Sequence, residues 1–359
     1  MKKKLSLLAL VLVAVVSLIA ACAAPAPTPA PAPSPAAPAE VIKWSAQCQT
    51  TAGDTQNIAQ HRVANIINSM ANGSLVMDLQ DGGAIISAGK EIDGLIDGSI
   101  DCAFTPYAFT QTIFPVAEVF ADVVGGLSPS QLMLWYTEGV GEGHDLATEY
   151  FGQQDVKLVH TACILTSEIW CHSKVEIKSV ADIKGLKMRC AGAGGEILAK
   201  MGAATTFVPG AEIYESMQRG VIDAFEYDSA TPNWNMGFQE VADYVYVGAT
   251  RAPSAVSAVF VMQDTWAELP DNLKTILVEA CRANLPHYLA TLVDSDGEHL
   301  KMFKDYGCTV APIPEDVNEE LVRVAKDYFQ EKSAGDPWYA KVYESLMNWK
   351  DVCVEQGIY

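Results

Sequence analysis

The sequence predicts an α/β protein whose folded part is two similar lobes, and three observations carry that expectation. The chain has 359 residues, half of them apolar and 19% charged, which is enough to bury two cores rather than one. From Val41 onward, runs with a period of two alternate with runs of helical period. Finally, "KEIDGLIDGSIDCAF" (90–104) is echoed by "EIYESMQRGVIDAFE" (212–226), with Gly98 matching Gly220, Ile100 matching Ile222 and Asp101 matching Asp223. Each copy reads as a helix, a glycine stop and a short buried strand. Ligands of open α/β sheets sit beyond the carboxyl ends of strands. Thr105–Tyr107 and Glu226–Tyr227 are therefore expected to face each other across a cleft.

The elements follow in order. Lys2, Lys3 and Lys4 precede an unbroken apolar stretch from Leu5 to Ala21, the pattern of a processed export signal. It ends Leu-Ile-Ala-Ala-Cys22, which resembles the lipobox of bacterial lipoproteins. That resemblance implies cleavage before Cys22 and a lipid on its sulfur. Residues 23–39 hold seven of the 18 prolines and read as an extended tether, reaching roughly 50 Å at about 3.1 Å per residue. Beyond it, no apolar run approaches the ~18 residues of a membrane span. Residues 41–47 alternate as a strand. Residues 55–71 carry Ala59, Val63, Ile66, Ile67 and Met70 on one helical face, closed by Asn72-Gly73, and residues 74–80 form the next strand. Later come a buried strand at 255–262, a helix from about Pro270, and amphipathic helix through the last third, including 315–331.

Without the signal the chain keeps 21 basic against 44 acidic residues, which argues against nucleic acid as a partner. Eight cysteines besides Cys22 form no CxxC and lie mostly in apolar runs, as free buried thiols do; Cys163 with Cys171 and Cys308 with Cys353 are the disulfide alternatives. The six histidines show no metal spacing, and His61 and His299 fall on polar helical stretches. No G-x-S-x-G elbow is present. In "GLKMRCAGAGGEIL" (185–198) the third position of a dinucleotide fingerprint is Ile197, so the phosphate-loop reading fails. What remains there is a strand ending in Arg189, a glycine turn and a helix from about Glu196, whose first amides could take an anion. Arg189 is one of only six arginines. Ending an apolar strand, it calls for a carboxylate, from the protein or from a ligand.

"DIKGLKMRCAGAGGEILAKMGA" followed by "FVPGAEIYESMQRGVIDAFE", together with "GSIDCAFTPY" and "QDTWAELPDNLK", resembles the solute-binding proteins of tripartite ATP-independent periplasmic (TRAP) transporters, the DctP family. The likeness covers nearly all of residues 41–359 and is nearest to the branch that binds 2-oxo and 2-hydroxy acids. The resemblance implies a two-lobed fold of the type II periplasmic-binding-protein kind, with hinge strands and long connecting helices. It divides the chain into 41–166 plus 256–295 as lobe I and 167–255 plus 296–359 as lobe II, after a signal at 1–21 and the lipidated tether at 22–40. It assigns Arg189 to a bidentate grip on a ligand carboxylate. It also implies a cation, calcium or sodium, bridging ligand and protein through Glu226, Tyr227 and the position of Glu168. Two departures stand out: Glu168 takes the place of a neutral amide, and Arg251-Ala252 takes the place of an acidic group. Two carboxylates suit a hard cation. Alternatively, Arg251 neutralises Glu168 or Glu226 and no metal binds, or Arg251 takes a second carboxylate of the ligand. Tyr107 and the Gln49-Thr50 turn complete the expected ligand site from lobe I.

The function so implied is that of a receptor, not an enzyme. It would be lipid-anchored outside the cytoplasm, monomeric or dimeric, and would capture a small organic acid by lobe closure and pass it to the large and small subunits of a TRAP permease. The rivals are a receptor for an ATP-driven importer or a sensor kinase, and a secreted carboxylate-processing enzyme using Glu168 and Glu226 as an acid–base pair.

Overall fold

The computed structural model describes residues 41–359. The signal segment, Cys22 and the proline-rich tether lie outside the described residues. Eleven strands occur in order: β1 (Ile42–Cys48), β2 (Leu75–Gln80), β3 (Cys102–Pro106), β4 (Val156–Ile164), β5 (Cys171–Ser173), β6 (Lys187–Arg189), β7 (Ala204–Thr206), β8 (Ala224–Phe225), β9 (Tyr244–Val247), β10 (Val256–Met262) and β11 (Thr309–Pro312). Between and after them run α1 (Thr55–Ala71), α2 (Glu91–Ile96), α3 (Ala117–Phe120), α4 (Pro129–Trp135), α5 (Gly143–Gly152), α6 (Gly192–Lys200), α7 (Gly210–Gln218), α8 (Ala230–Asn235), α9 (Gln263–Glu268), α10 (Asp271–Tyr306), α11 (Glu315–Gly335) and α12 (Pro337–Glu355). No described helix is long and apolar enough to cross a membrane.

The strands form two sheets, β2-β1-β3-β10-β4 and β11-β9-β5-β8-β6-β7. Pairing is parallel except around β10 in the first sheet and β5 in the second. Those two strands are the ones entered directly from the other sheet. With no helix to return it, the chain arrives running the opposite way. The repeat thus feeds two different sheets: its first copy supplies α2 and β3, its second α7 and β8. Gly98 and Gly220 stop the two helices at φ 78° and 69°, a left-handed backbone that glycine adopts without a Cβ penalty.

The two crossing segments, 165–170 and 248–255, run side by side. Leu165 N–H donates to the Ala255 carbonyl at 3.0 Å and Glu168 N–H to the Ala252 carbonyl at 3.1 Å. A third connection is α10, 36 residues with Pro286 inside, which packs on β4 and α1 at one end and on α8 and β11 at the other. Asp54 caps α1 by accepting from Gln56 N–H at 2.7 Å, and Asn72 ends that helix at φ 47°. Both faces of the first sheet are buried: Phe104 and Val259 lie under α1 and α10, while Ala103 and Phe260 face an aromatic cluster with Phe114, Phe120 and Phe151.

One element departs from the expected division at 296–359. Helix α12 packs on α3, α4 and α5, which belong to the first half. The Trp135 indole N–H donates to Ser345 Oγ at 3.2 Å, and the Trp349 indole N–H to the Gln131 carbonyl at 3.1 Å. Each large indole needs an acceptor, and the contact of α12 with α4 provides one on α12 for Trp135 and one on α4 for Trp349. All eight described cysteines are free and buried.

Candidate functional site

Arg189 ends β6, and Glu226 follows β8, its parallel neighbour in the sheet. Adjacent strand ends therefore bring the two side chains together. Arg189 Nη1 donates to Glu226 Oε1 at 2.8 Å and to the Glu226 carbonyl at 2.6 Å, while Nε donates to the Val208 carbonyl at 3.1 Å. Only Nη2 makes no hydrogen bond among the described residues, so the expected fork is half engaged within the protein. The guanidinium carbon lies 5.4 Å from the centre of the Phe207 ring and 5.9 Å from that of Tyr227, which orient it by cation–π attraction.

The glycine turn behaves differently from its sequence expectation. Helix α6 begins at Gly192, not near Glu196. The anion at its start is internal: Ala191 N–H donates to Glu226 Oε1 at 2.6 Å. Glu226 thus neutralises Arg189 and caps the helix at once, and the free amides foreseen for a ligand are partly taken.

The crossing segments deliver the other two charges. Arg251, 2% exposed, donates from Nε to the Trp170 carbonyl at 2.9 Å and from Nη2 to Glu168 Oε2 at 2.5 Å. Its Nη1 lies 3.4 Å from Glu226 Oε2. Of the open sequence alternatives, Arg251 therefore pairs with both Glu168 and Glu226. Arg189, Glu226, Arg251 and Glu168 form one buried chain of alternating charge. Burial pushes the Glu168 carboxyl up to about 7, with Arg251 opposing the rise and Glu226 adding to it.

Of the remaining expected residues, Tyr227 flanks Arg189, and burial first, then the charges of Asp54 and Asp228, push its phenol up. Gln49 and Thr50 close β1. Gln49 N–H donates to the Phe104 carbonyl at 2.9 Å, and Thr50 Oγ1 donates to Gln60 Oε1 at 3.0 Å. Tyr107 is a correction. It is fully buried among Phe120, Tyr136, Phe151 and Phe260, its hydroxyl 3.5 Å from Thr161 Oγ1, and so serves the core of the first half rather than a cleft. Rings from four distant segments claim it: Tyr136 and Phe151 stack on it, Phe120 is tilted and Phe260 meets it edge-on. His61, expected on a solvated face, is paired with Asp81 at 2.8 Å.

Sequence reasoning missed Asp122, Asp54, Gln111 and Phe207. Asp122 feels the charges of Glu168, Arg251 and Glu226, and burial with the Glu168 repulsion raises it well above the usual carboxylate range. An acid inside the apolar run "VFADVVGG" was its available signal. Gln111 Nε2 is buried without a hydrogen-bond partner and lies 3.9 Å from where a Cβ on Gly192 would stand, so the first half reaches the start of α6. Nothing in the sequence marks that amide.

Three carboxyls, Asp122, Glu168 and Glu226, meet two guanidiniums, Arg189 and Arg251, and burial holds Asp122 and Glu168 toward their neutral forms. Glu168 Oε1 makes no hydrogen bond among the described residues. Carboxyl oxygens grouped in this way are hard donors of the kind calcium and sodium take, with Arg251 sharing the same groups.

Two α/β sheets joined by paired crossing segments, with a charged site at the junction, define a two-lobed solute-binding protein. The chain belongs to DctP, the bacterial extracellular solute-binding protein family 7, whose model matches residues 47–335. A monocarboxylate 2-oxoacid-binding periplasmic protein from Nostoc sp. is 27% identical over 298 residues, 82% of this chain and 79% of that one. A TRAP periplasmic solute-binding protein from Colwellia psychrerythraea with bound calcium and pyruvate matches with TM-score 0.84 and 25% identity, over 88% of this chain and 96% of its own. One from Pseudoalteromonas atlantica with bound sodium and pyruvate matches with TM-score 0.83 and 23% identity, over 88% and 96%.

Proposed function

We propose that this protein is the extracytoplasmic receptor of a TRAP-type transporter for a small monocarboxylate of the 2-oxo or 2-hydroxy acid class. The observation that carries this reading is the state of Arg189: three of its donor directions are fixed by Glu226 and Val208, while Nη2 makes no hydrogen bond among the described residues and the guanidinium carbon lies 5.4 and 5.9 Å from the Phe207 and Tyr227 ring centres. A guanidinium so pinned loses little entropy when a carboxylate docks on it. Glu168, Glu226 and Tyr227 would hold a calcium or sodium ion, which supplies positive charge to the oxygens of the bound acid. Gln49 and Thr50 would approach the acid from the opposite half as the lobes close, so that binding favours the closed form. The protein itself performs no chemistry on the acid and passes it to the large and small permease subunits. Cys22 would carry the lipid that keeps the receptor at the membrane, with residues 23–39 as its tether.

Calorimetric titration with pyruvate tests the reading. Arg189→Lys keeps the charge but loses the planar donors; two charge-assisted hydrogen bonds at about 1.5–3 kcal/mol each predict a loss of roughly 100-fold or more. Circular dichroism checks that the fold persists. Unchanged affinity in a folded variant would remove Arg189 from the site.

A further inference from the structure

A second constellation stands apart from the charged junction, on the edge strand of the first sheet. His144 on α5 and His160 on β4 are 5% and 3% exposed, and their rings stack with centres 4.9 Å apart and planes inclined by 28°. His160 Nδ1 lies 2.8 Å from the Thr161 carbonyl, which fixes it as the donor and leaves Nε2 with a bare lone pair. His144 Nε2 lies 3.0 Å from Glu138 Oε1 and 3.5 Å from Thr148 Oγ1. His160 Nε2 and His144 Nδ1 are both buried and make no hydrogen bond. One donor atom from each of Glu138, His144 and His160 lies within 4.8 Å of the others. Burial above all, with Lys157 nearby, holds both imidazoles below the usual histidine range, in the neutral form that ligates metals.

We propose that Glu138, His144 and His160 bind a borderline divalent cation of the zinc class. Two neutral imidazole nitrogens and one carboxylate suit zinc, whereas calcium prefers oxygen donors throughout. Two buried imidazoles with unsatisfied nitrogens are costly in a core unless something accepts their lone pairs. The second oxygen of Glu138 is held by Arg282, which also pairs with Glu279, so the carboxylate is oriented from behind as metal-bound carboxylates are. Glu138 is exposed, leaving a coordination position open to water. The ion would tie α5, β4 and the loop after α4 together, and it is independent of the carboxylate reading at Arg189.

Titrating metal-free purified protein with zinc chloride alone, followed by calorimetry and native mass spectrometry, is expected to show one zinc per chain and a raised melting temperature. His160→Gln should weaken zinc binding by about 10-fold or more. Glu138→Gln, at an exposed position that spares the core, should do the same and keeps the test decisive if the histidine variant fails to fold. Cobalt substituted for zinc should give d–d absorption bands that Glu138→Gln alters. Absence of zinc uptake, or uptake untouched by Glu138→Gln, overturns the proposal. So does loss with His61→Gln instead, which would place the ion at Cys48, His61 and Asp81.

Discussion

Replacing Arg251 by glutamine strands the buried Glu168 carboxyl and leaves Glu226 with Arg189 as its one cationic partner among the described residues. Glu168 loses a 2.5 Å partner, Glu226 loses its contact at 3.4 Å, and the Trp170 and Ile169 carbonyls lose their donors. Removing one member of a buried charge pair costs about 3–5 kcal/mol, chiefly because the other charge stays desolvated and alone. For the roughly 320 residues from Val41 onward, an unfolding entropy near 2.1 cal/mol/K per residue amounts to about 0.7 kcal/mol/K, so the loss corresponds to roughly 4–8 °C in melting temperature. Scanning calorimetry at pH 7 on wild type, Arg251→Gln, Glu168→Gln and the double variant closes a thermodynamic cycle. The double variant should recover part of the loss, because the stranded carboxylate is gone, with a coupling of about 1–3 kcal/mol. Calcium should raise the single Arg251 variant more than the wild type, since it replaces a missing positive charge beside the same oxygens. An Arg251→Gln protein melting within about 1 °C of wild type refutes the argument, as does a double variant no better than the single one.

Two further outcomes follow from the same site. The Glu168 carboxyl is raised to about 7 in the folded protein, so its contribution to stability is fully present below its unfolded value near 4.5 and is lost as pH climbs through 7. The melting temperature of Glu168→Gln relative to wild type should therefore rise between pH 5 and pH 8; a flat difference would contradict the raised carboxyl. A Cβ on Gly210 would sit 2.5 Å from Tyr227 Cε2, so Gly210→Ala must displace the ring that stands beside Arg189. Pyruvate affinity should then fall by about 10-fold with the melting temperature lowered by no more than about 2 °C, and equal affinity would show that the Tyr227 ring is not a wall of the site.

The parts legible from sequence were those set by local pattern. Helix α1 was bounded because one apolar face runs from Ala59 to Met70 and Asn72-Gly73 stops it, and the repeat put β3 and β8 in two sheets. Arg189 was visible as a charge at the end of an apolar strand. Tyr107 was misplaced because the repeat predicts equivalent backbone positions, whereas the rings that enclose Tyr107 come from α3, the residue just after α4, α5 and β10. The start of α6 was misjudged for a related reason: glycines are poor helix formers, and the group that holds the Ala191 amide, Glu226, is 35 residues away. Asp122, Glu168 and Arg251 converge from three loops, and His144 meets His160 across a helix–strand contact. Neither meeting leaves a spacing motif.

The eight buried thiols give the molecule a built-in set of gauges. Cys48, Cys102, Cys163 and Cys281 lie in the core beneath α1 and α10, Cys171 and Cys190 in the core that extends into the second sheet, Cys308 beside β11 and Cys353 on the last helix. None exceeds 7% exposure, so a thiol reagent reaches each sulfur only when its own neighbourhood opens. Labelling rates read position by position would therefore map which parts of the receptor breathe separately and which yield only to complete unfolding. Adding an acid ligand should slow Cys190, one residue from Arg189, before it slows Cys353.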